Sequence, residues 1–307
     1  MKVLVSGANG FVGRSLCRYY QTQNHQLLAM VRAPAGFAQE IVVSDLDQLQ
    51  TLHQQLSGYD SVIHLAARVH IMRDDSSDPL ADFRKVNVEG TLNLARQAHL
   101  AGVRRFVYLS SIKVNGEQGR CVESDKPAPE DAYGVSKYEA EQALMALAQE
   151  TGMEVVIIRP PLVYGSGVKG NFATLIRLVQ KGWPLPLGAV HNKRSFIALD
   201  NLVSFIALCA DREQSPAAAN QTFLITDGED VSTTELLHKV AKAYGKKLWL
   251  IPVPTSWMRL AAKLIGKESV ADRLFGSLLA DTSKARDLLA WRPVTTMDQQ
   301  LRKMVSA

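Results

Sequence analysis

Three short stretches of this chain carry residue types that could do chemistry together. The first is Tyr133-Gly-Val-Ser-Lys137. Residues four apart on a helix share a face, so the phenol and the ammonium would stand side by side. A tyrosine titrates near pH 10 and is a poor acid or base at neutral pH unless a neighbour shifts it. Lys137 is placed to lower it electrostatically and to reach a ribose hydroxyl. Of the eight tyrosines, only Tyr133 has a lysine four residues later. The second stretch is Leu109-Ser110-Ser111, which closes an apolar run. In open α/β sheets the carboxyl ends of strands hold the ligands, and Ser111 could hydrogen-bond the oxygen that Tyr133 protonates. The third is Gly7-Ala8-Asn9-Gly10-Phe11-Val12-Gly13, between a strand pattern and a helix pattern. A glycine tolerates positive φ and lets backbone approach a pyrophosphate. The helix start at Phe11 and Val12 offers free N–H groups and a partial positive charge, and Gly13 permits close helix–strand packing. Each stretch has a plain alternative: a solvated helix pair, two serines ending a strand, a tight turn. Their order along one chain argues against coincidence.

These features point to a dinucleotide cofactor. The second apolar run ends at Val31-Arg32, where NAD sites usually carry an acidic residue for the ribose 2′-hydroxyl. Arg32 suits a 2′-phosphate instead, so NADP(H) is preferred and NAD(H) stays open; a solvent-facing arginine at a strand end is the competing account. Asp45 and Leu46, after the third run, are placed to flank the adenine, and Asp45 could equally cap a helix.

The elements that must position these residues alternate strand with helix. Strands are predicted at Val3–Ser6, Leu27–Val31, Ile41–Val43, Val62–Leu65, Phe106–Leu109 and Val155–Ile158, with a further one at Phe223–Thr226. Most are continuously apolar, as in strands covered on both faces. Helices are predicted at Thr91–Ala101 and Tyr133–Thr151. The pattern predicts an α/β fold, a Rossmann-type doubly wound parallel sheet with a smaller interleaved C-terminal substrate lobe. Residues 1–165 and about 198–226 would form the dinucleotide-binding part. Residues 166–197 and 227–307 would form the lobe, read as irregular segments and short helices up to residue 200. A helix at Trp257–Ile265 puts Trp257, Leu260, Ala261, Leu264 and Ile265 on one face, away from Arg259, Lys263 and Lys267. Packing on the lobe's core is expected of that face, with membrane-surface binding as the alternative.

Composition bounds the rest. No apolar run reaches the roughly 18 residues of a membrane span, and the start of the chain shows no signal region. Three widely spaced cysteines fit neither a disulfide framework nor a metal site. A cytoplasmic protein without a metal or a membrane partner is expected. The formal net charge of +5 is scattered, with no basic stripe interleaved with aromatics, so nucleic acid is not expected.

Across nearly its whole length the sequence resembles the extended short-chain dehydrogenase/reductase family, within it the nucleotide-sugar epimerases, reductases and dehydratases. The resemblance runs through the glycine motif, His64-Leu-Ala-Ala67, Asn87-Val-Glu-Gly90, Ser110-Ser111, Tyr133 and Lys137. It continues through Arg159-Pro-Pro-Leu-Val-Tyr-Gly165, Arg194-Ser-Phe-Ile-Ala-Leu-Asp200 and Trp291-Arg-Pro293. It implies that Ser111, Tyr133 and Lys137 are catalytic. It implies that Gly7, Gly10, Phe11, Val12, Gly13, Arg32, Asp45, Leu46, Leu65, Ala66, Ala67, Asn87, Pro160 and Val163 line the cofactor together with Tyr133 and Lys137. Tyr164 and Gly165 would lie near the nicotinamide. Ser111, Tyr164, Asn171, Arg194 and Arg273 would meet a UDP-sugar, with Leu185-Pro-Leu-Gly188 along the base. Asn171 as a helix cap and Arg194 as a surface ion pair are the competing accounts. A homodimer through the two predicted helices is implied as well; Ala140, Ala143, Leu144 and Leu147 could form its face or pack on the sheet.

The resemblance leaves the reaction open. Family dehydratases carry acidic residues just after the strand-end serine, where this chain has Ile112 and Lys113, which disfavours dehydration. The family's usual Val-Tyr-Gly is here Val114-Asn115-Gly116. A 4-keto-sugar reductase using NADPH and a 4-epimerase with tightly held NAD both fit; Arg32 tips the reading slightly to the reductase. A non-catalytic NADP-binding regulator is the alternative from another class, and such a protein would be expected to lose Tyr133 or Lys137.

Overall fold

The computed structural model describes residues 1–46, 49, 51–69, 78–264, 266 and 268–306. In chain order it runs β1 (Lys2–Ser6), α1 (Phe11–Thr22), β2 (Gln26–Val31), β3 (Glu40–Val42), α2 (Leu52–Gln55), β4 (Ser61–His64) and α3 (Pro79–Arg84). A π-helical turn, Lys85–Glu89, joins α3 to α4 (Gly90–Leu100). Then follow β5 (Arg105–Leu109), β6 (Gly119–Cys121), α5 (Ala132–Thr151), β7 (Glu154–Arg159), β8 (Leu162–Tyr164), α6 (Gly170–Lys181), β9 (Arg194–Ala198) and α7 (Leu199–Ala210). The last part holds β10 (Gln221–Leu224), β11 (Asp230–Val231), α8 (Thr233–Ala243), α9 (Thr255–Leu264), α10 (Glu268–Phe275), β12 (Leu278–Ala280), α11 (Ser283–Leu289) and α12 (Met297–Val305).

Seven of these strands form one parallel sheet in the order β3-β2-β1-β4-β5-β7-β10. Period-two alternation shows why both faces are covered. Val3, Val5, Ile63, Val107, Val156 and Ile158 face the core under α1 and α7, while Leu4, Val62, Phe106, Val155 and Ile157 face the core under α4 and α5. This is the doubly wound sheet that the apolar runs predict. The order turns back at β1, which pairs with β2 on one side and β4 on the other. In such sheets that point holds the ligand.

A second sheet, β11-β9-β12-β6 with β8 beside β9, was not foreseen. The stretch up to residue 200 is therefore not irregular: Arg194–Ala198 is a strand whose Phe196, Ile197 and Ala198 pair with Leu162, Val163 and Tyr164. Its apolar run continues into α7 without a break, so no change of period marks the boundary. β6 comes from the first half of the chain, yet pairs with β12 near its end.

The face of α9 also departs from expectation. Trp257, Leu260 and Leu264 are exposed, and no residue of α9 is fully buried. Ile265 and Lys267, assigned to the same helix region, lie outside the described residues. On α5 the outcome is the reverse: Ala140, Leu144 and Leu147 are buried against Leu94, Ala95 and Ala98 of α4 in the chain's own core.

One buried charge ties the sheet to its far helix. Arg105 at the start of β5 has no solvent exposure. Its Nε donates to Glu154 of β7 at 2.8 Å, and its Nη1 donates to the carbonyls of Cys209 and Ser215, each at 3.0 Å. Removing one partner of such a buried set leaves the others desolvated and unpaired. Arg105→Met is expected to lower unfolding free energy by about 3–5 kcal/mol, read from the midpoint of urea unfolding; a loss within error would remove this set from the scaffold.

Candidate active site

The glycine turn is forced by contact. Gly7 has φ +70°, and a Cβ there would sit 2.8 Å from the Ala66 nitrogen; one on Gly13 would sit 2.2 Å from the Gly7 carbonyl oxygen. The Gly10 N–H donates to that same oxygen at 2.9 Å. α1 starts with no side-chain cap and no acidic residue in its first turn, so its leading N–H groups are available to an anion. Phe11 and Val12 are half-buried there, and Leu65, Ala66 and Ala67 are half-buried beyond β4.

A buried chain of hydrogen bonds holds this turn to its neighbours. The Thr91 hydroxyl donates to the Asn87 carbonyl at 2.7 Å, so it accepts from His64 Nε2 at 2.9 Å. His64 Nδ1 must then accept from the Ser6 hydroxyl at 2.5 Å. Burial, and then the charge of Lys137, push the imidazole down to about 3, so it stays neutral. Asn87 lies in the π-helical turn, a feature that often marks functional positions. Its Nδ2 donates to the Arg68 carbonyl at 3.1 Å and to the Ser136 hydroxyl at 3.0 Å.

Outward along the same edge, Arg32 is exposed past β2 with no hydrogen bond or ion pair to any described residue. Asp45 lies 3.8 Å from Lys85 Nζ, and Leu46 packs so closely on α4 that a Cβ on Gly90 would meet it at 2.8 Å.

The catalytic candidates converge on one face of α5. Asp131 caps the helix, accepting from the Gly134 N–H at 2.7 Å. Tyr133, Lys137 and Glu141 then follow at four-residue steps. Ser111, just past the end of β5, accepts from the Lys113 N–H at 3.2 Å and stands near enough to the Tyr133 phenol to favour its ionised form. Burial, then Asp131, push that phenol up to about 12, with Ser111 opposing them. The lowering expected from Lys137 does not appear, since burial drives the Lys137 ammonium itself down to about 7, against the pull of Glu141. Lys137 Nζ lies 4.1 Å from the ring centroid of Tyr108, which in turn stacks on His64 at 5.8 Å.

Below this face is a buried ionic set. Glu141 accepts from the Ser110 hydroxyl at 2.5 Å and from Arg159 Nη2 at 2.5 Å. Arg159 Nη1 donates to Asn115 Oδ1 at 3.0 Å, and Asn115 Nδ2 donates to the Val122 carbonyl at 3.1 Å. The departure from the family's Val-Tyr-Gly therefore places an amide in the core, beneath the loop. Ile112 is buried, and Lys113 bonds both Glu117 at 2.6 Å and the capping Asp131. Pro160 is buried and accepts from the Ile112 N–H at 3.0 Å, while Val163 is half-buried in β8.

The proposed substrate contacts divide. Arg194 is half-buried, and its Nη1 donates to the carbonyls of Arg273 at 3.1 Å and Gly276 at 3.2 Å, so it is no surface ion pair. Burial lowers its pKa, and the nearby Arg273 adds to this. The two guanidinium groups thus stand in range of each other. Asn171 is exposed in the first turn of α6, past the capping position, which Lys169 holds. Tyr164 needs correction: it is fully buried between Phe172 and Phe196, and its hydroxyl donates to Asp227 at 2.6 Å. Two phenyl rings and one carboxylate enclose it, so it belongs to the core. Leu185 and Leu187 are buried too, with the Gly188 N–H on the Ile251 carbonyl at 3.1 Å.

Sequence reasoning missed Glu141, Arg159 and Asp227. Glu141 carried a signal, because it repeats the four-residue step of Tyr133 and Lys137 on a face otherwise apolar. Asp227 carried none. It accepts from the Ala198 N–H and the Asn201 amide, both at 2.7 Å, and only the tertiary fold brings these groups together.

Residues 3–224 match the NAD dependent epimerase/dehydratase family. A UDP-glucose 4-epimerase of Vibrio cholerae is 44% identical, over 99% of this chain and 94% of its own length. An N-acetyl-alpha-D-glucosaminyl-diphospho-ditrans,octacis-undecaprenol 4-epimerase of Escherichia coli O157:H7 is 30% identical, over 82% of this chain and 75% of its own. The crystal structure of a UDP-N-acetylglucosamine 4-epimerase from Bacillus cereus superposes with a TM-score of 0.80 over 100% of this chain and 98% of that one; at 21% identity the likeness is one of fold. The chain belongs to the NAD dependent epimerase/dehydratase family, as the resemblance to extended short-chain dehydrogenases implies.

The low Lys137 value has a thermal consequence. Its pKa is about 7 in the folded chain and 10.5 when unperturbed, so between those values the unfolded chain binds more protons and the fold gains stability as pH rises. Lys137→Met, which cannot charge, is expected to melt above the unsubstituted protein at about pH 6, with the advantage shrinking towards about pH 10. A difference that does not change with pH would show that Lys137 titrates normally.

Proposed function

We propose that this chain is a UDP-sugar 4-epimerase that inverts the configuration of a hexose at C4 with a retained nicotinamide dinucleotide. The observation that carries this reading is the Ser111, Tyr133 and Lys137 group, intact at the carboxyl edge of the sheet beside the glycine turn. A relative at 30% identity is named as a 2-alkyl-3-oxoalkanoate reductase, while two others, at 44% and 30%, support the choice of C4 epimerisation. Both are named as 4-epimerases, and both names describe a glucose-type sugar carried on a diphosphate. They move the balance away from the reductase that Arg32 favoured.

The residues fit the cofactor. The Gly7 turn admits no Cβ on either side, and the uncapped start of α1 offers N–H groups to a pyrophosphate. Gly10, Phe11, Val12 and Gly13 would hold that group, Asp45 and Leu46 the adenine end, Leu65 to Ala67 and Asn87 the middle. Tyr133, Lys137, Pro160 and Val163 would hold the nicotinamide end. When bound, the dinucleotide supplies the acceptor and donor of hydride. Tyr133 takes the proton of the C4 hydroxyl and later returns it, while the Ser111 hydroxyl fixes the reacting oxygen. Lys137, whose ammonium burial disfavours and Glu141 favours, would steady the phenolate when charged. Arg194, with its planar fork oriented by two backbone carbonyls, and Arg273 would meet the diphosphate. Dehydration would need a free carboxylate beside Ser111. The carboxylates this loop brings up, Glu117 and Asp131, are both bonded to Lys113.

A second reading rests on Arg32. Exposed and without a partner among the described residues, it remains suited to a 2′-phosphate and so to a 4-keto-sugar reductase using NADPH. The family resemblance also implies a homodimer built on α4 and α5, and a chain with three free, buried cysteines suits a reducing cytoplasm.

Purified without added cofactor and then denatured, the protein is expected to release about one NAD per chain and to interconvert UDP-glucose and UDP-galactose. Tyr133→Phe is expected to cut turnover by at least about a hundredfold while the bound dinucleotide is retained. Unchanged turnover would remove Tyr133 from the chemistry. An empty protein that binds NADPH, ignores NADH and reduces a 4-keto UDP-sugar would establish the second reading.

A further inference from the structure

Three of the four tryptophans lie exposed, and all three lie between β8 and α10. Trp183 is 60% exposed, Trp249 64% and Trp257 70%, whereas Trp291 is buried against Phe205 at 5.0 Å. Trp257 starts a stripe on α9 that continues through Leu260 and Leu264, one and two turns on. The helix rests on the protein by its other side, through the partly buried Met258 and Ala262. Arg259 fixes it to α10, 2.5 Å from Asp272. The apolar stripe therefore faces out from a helix that is held in place.

Two neighbouring loops also carry exposed apolar side chains. The Leu185 N–H donates to the Trp249 carbonyl and the Ile251 N–H donates back to Leu185, each at 2.9 Å, so the segments carrying Trp183 and Trp249 run side by side. Ile251 is half exposed. Lys181 Nζ lies 4.7 Å from the centroid of the Trp183 ring. Residues 236–267 include seven lysines and arginines and no aspartate or glutamate, and of these Lys239, Arg259 and Lys263 are paired with acids of other segments. Lys242, Lys246 and Lys247 are exposed with no ion pair to any described residue.

We propose that this surface docks on an anionic phospholipid bilayer, with Trp257, Leu260 and Leu264 entering the headgroup boundary and Lys181, Lys246 and Lys247 meeting lipid phosphates. An amphipathic helix held in the plane of the interface, tryptophan and leucine inward and basic residues at the rim, is the physical form of such docking. Indole rings favour that boundary because one edge is apolar and the other carries an N–H. A second copy of the chain is a poor occupant. A two-fold contact would bring the exposed Lys242, Lys246 and Lys247 of both copies together. The attachment is peripheral, since no helix of the described residues is long and apolar enough to cross a membrane. The proposal does not rest on the epimerase reading.

The test mixes the full chain with vesicles of equal parts phosphatidylglycerol and phosphatidylcholine, and with phosphatidylcholine alone. Expected are co-sedimentation with the anionic vesicles, weakening as salt is raised, and a shift of tryptophan emission to shorter wavelength. The combined variant W257E, L260E and L264E alters only exposed side chains, so it is expected to melt and elute as the unsubstituted protein does. Its partition onto anionic vesicles is expected to fall by at least about tenfold. Absence of binding by the unsubstituted chain overturns the proposal, as does equal binding by the variant. A variant that elutes as a smaller assembly would overturn it too, by showing that a second copy covers this face.

Discussion

An ammonium group cannot sit inside a protein without something to answer its charge, and Lys137 is answered by an aromatic face with a carboxylate one turn away. Much of the catalytic edge is arranged around that demand. Tyr108 presents its ring from β5, and His64 braces the ring from β4. Glu141 supplies the distant negative charge but is itself held by Arg159 and Ser110, so it is never left unpaired. A buried ion pair is tolerable only when each remaining lone pair and proton finds a partner. Asn115 and the Val122 carbonyl complete that accounting on the guanidinium side. The loop after Ser111 thus takes its shape from the ionic set beneath it.

The glycine turn and the neutral histidine solve a related problem at the other end of the edge. The backbone of β1 must turn within contact distance of the segment after β4, and Gly7 allows it where any side chain would collide. The Ser6, His64 and Thr91 hydrogen bonds then fix how far apart those two segments stand. Geometry at the phosphate end and at the proton-transfer end is linked through shared residues: Lys137 sits above Tyr108, and Tyr108 stacks on His64.

Much of the first sheet could be read from the sequence because its strands are continuous apolar runs separated by helices. The same is true of the glycine turn and of the tyrosine–lysine step, which are local in the chain. What escaped was set by contacts far apart in sequence. β6 and β12 are three-residue strands, too short to carry a period, and each exists because the other is beside it. Tyr164 sits in a motif that implies a ligand contact, but Phe172, Phe196 and Asp227 enclose it, and nothing near residue 164 announces them. α9 failed in the opposite sense. Its apolar stripe was read correctly, yet which side of a helix meets the protein is decided by neighbours, and here Met258 and Ala262 were chosen. The sign of the Tyr133 shift was missed because spacing reports who is adjacent and says nothing of how much water is excluded.

The long-range partners of the central strands have a consequence for synthesis. Ser61 of β4 donates to the Ala210 carbonyl, 149 residues later, and Arg105 of β5 waits for the carbonyls of Cys209 and Ser215, 104 and 110 residues later. At translation rates of about 5–20 residues per second, the gap for Arg105 is roughly 5–20 s. During that interval β1 to β5 can already pair, yet one flank lacks α7 and a buried cation lacks its acceptors. The nascent chain therefore passes through a stage with a partly built sheet and an open apolar face. How well it survives that stage is governed by the ribosome's pace and by chaperones as much as by the stability of the finished fold.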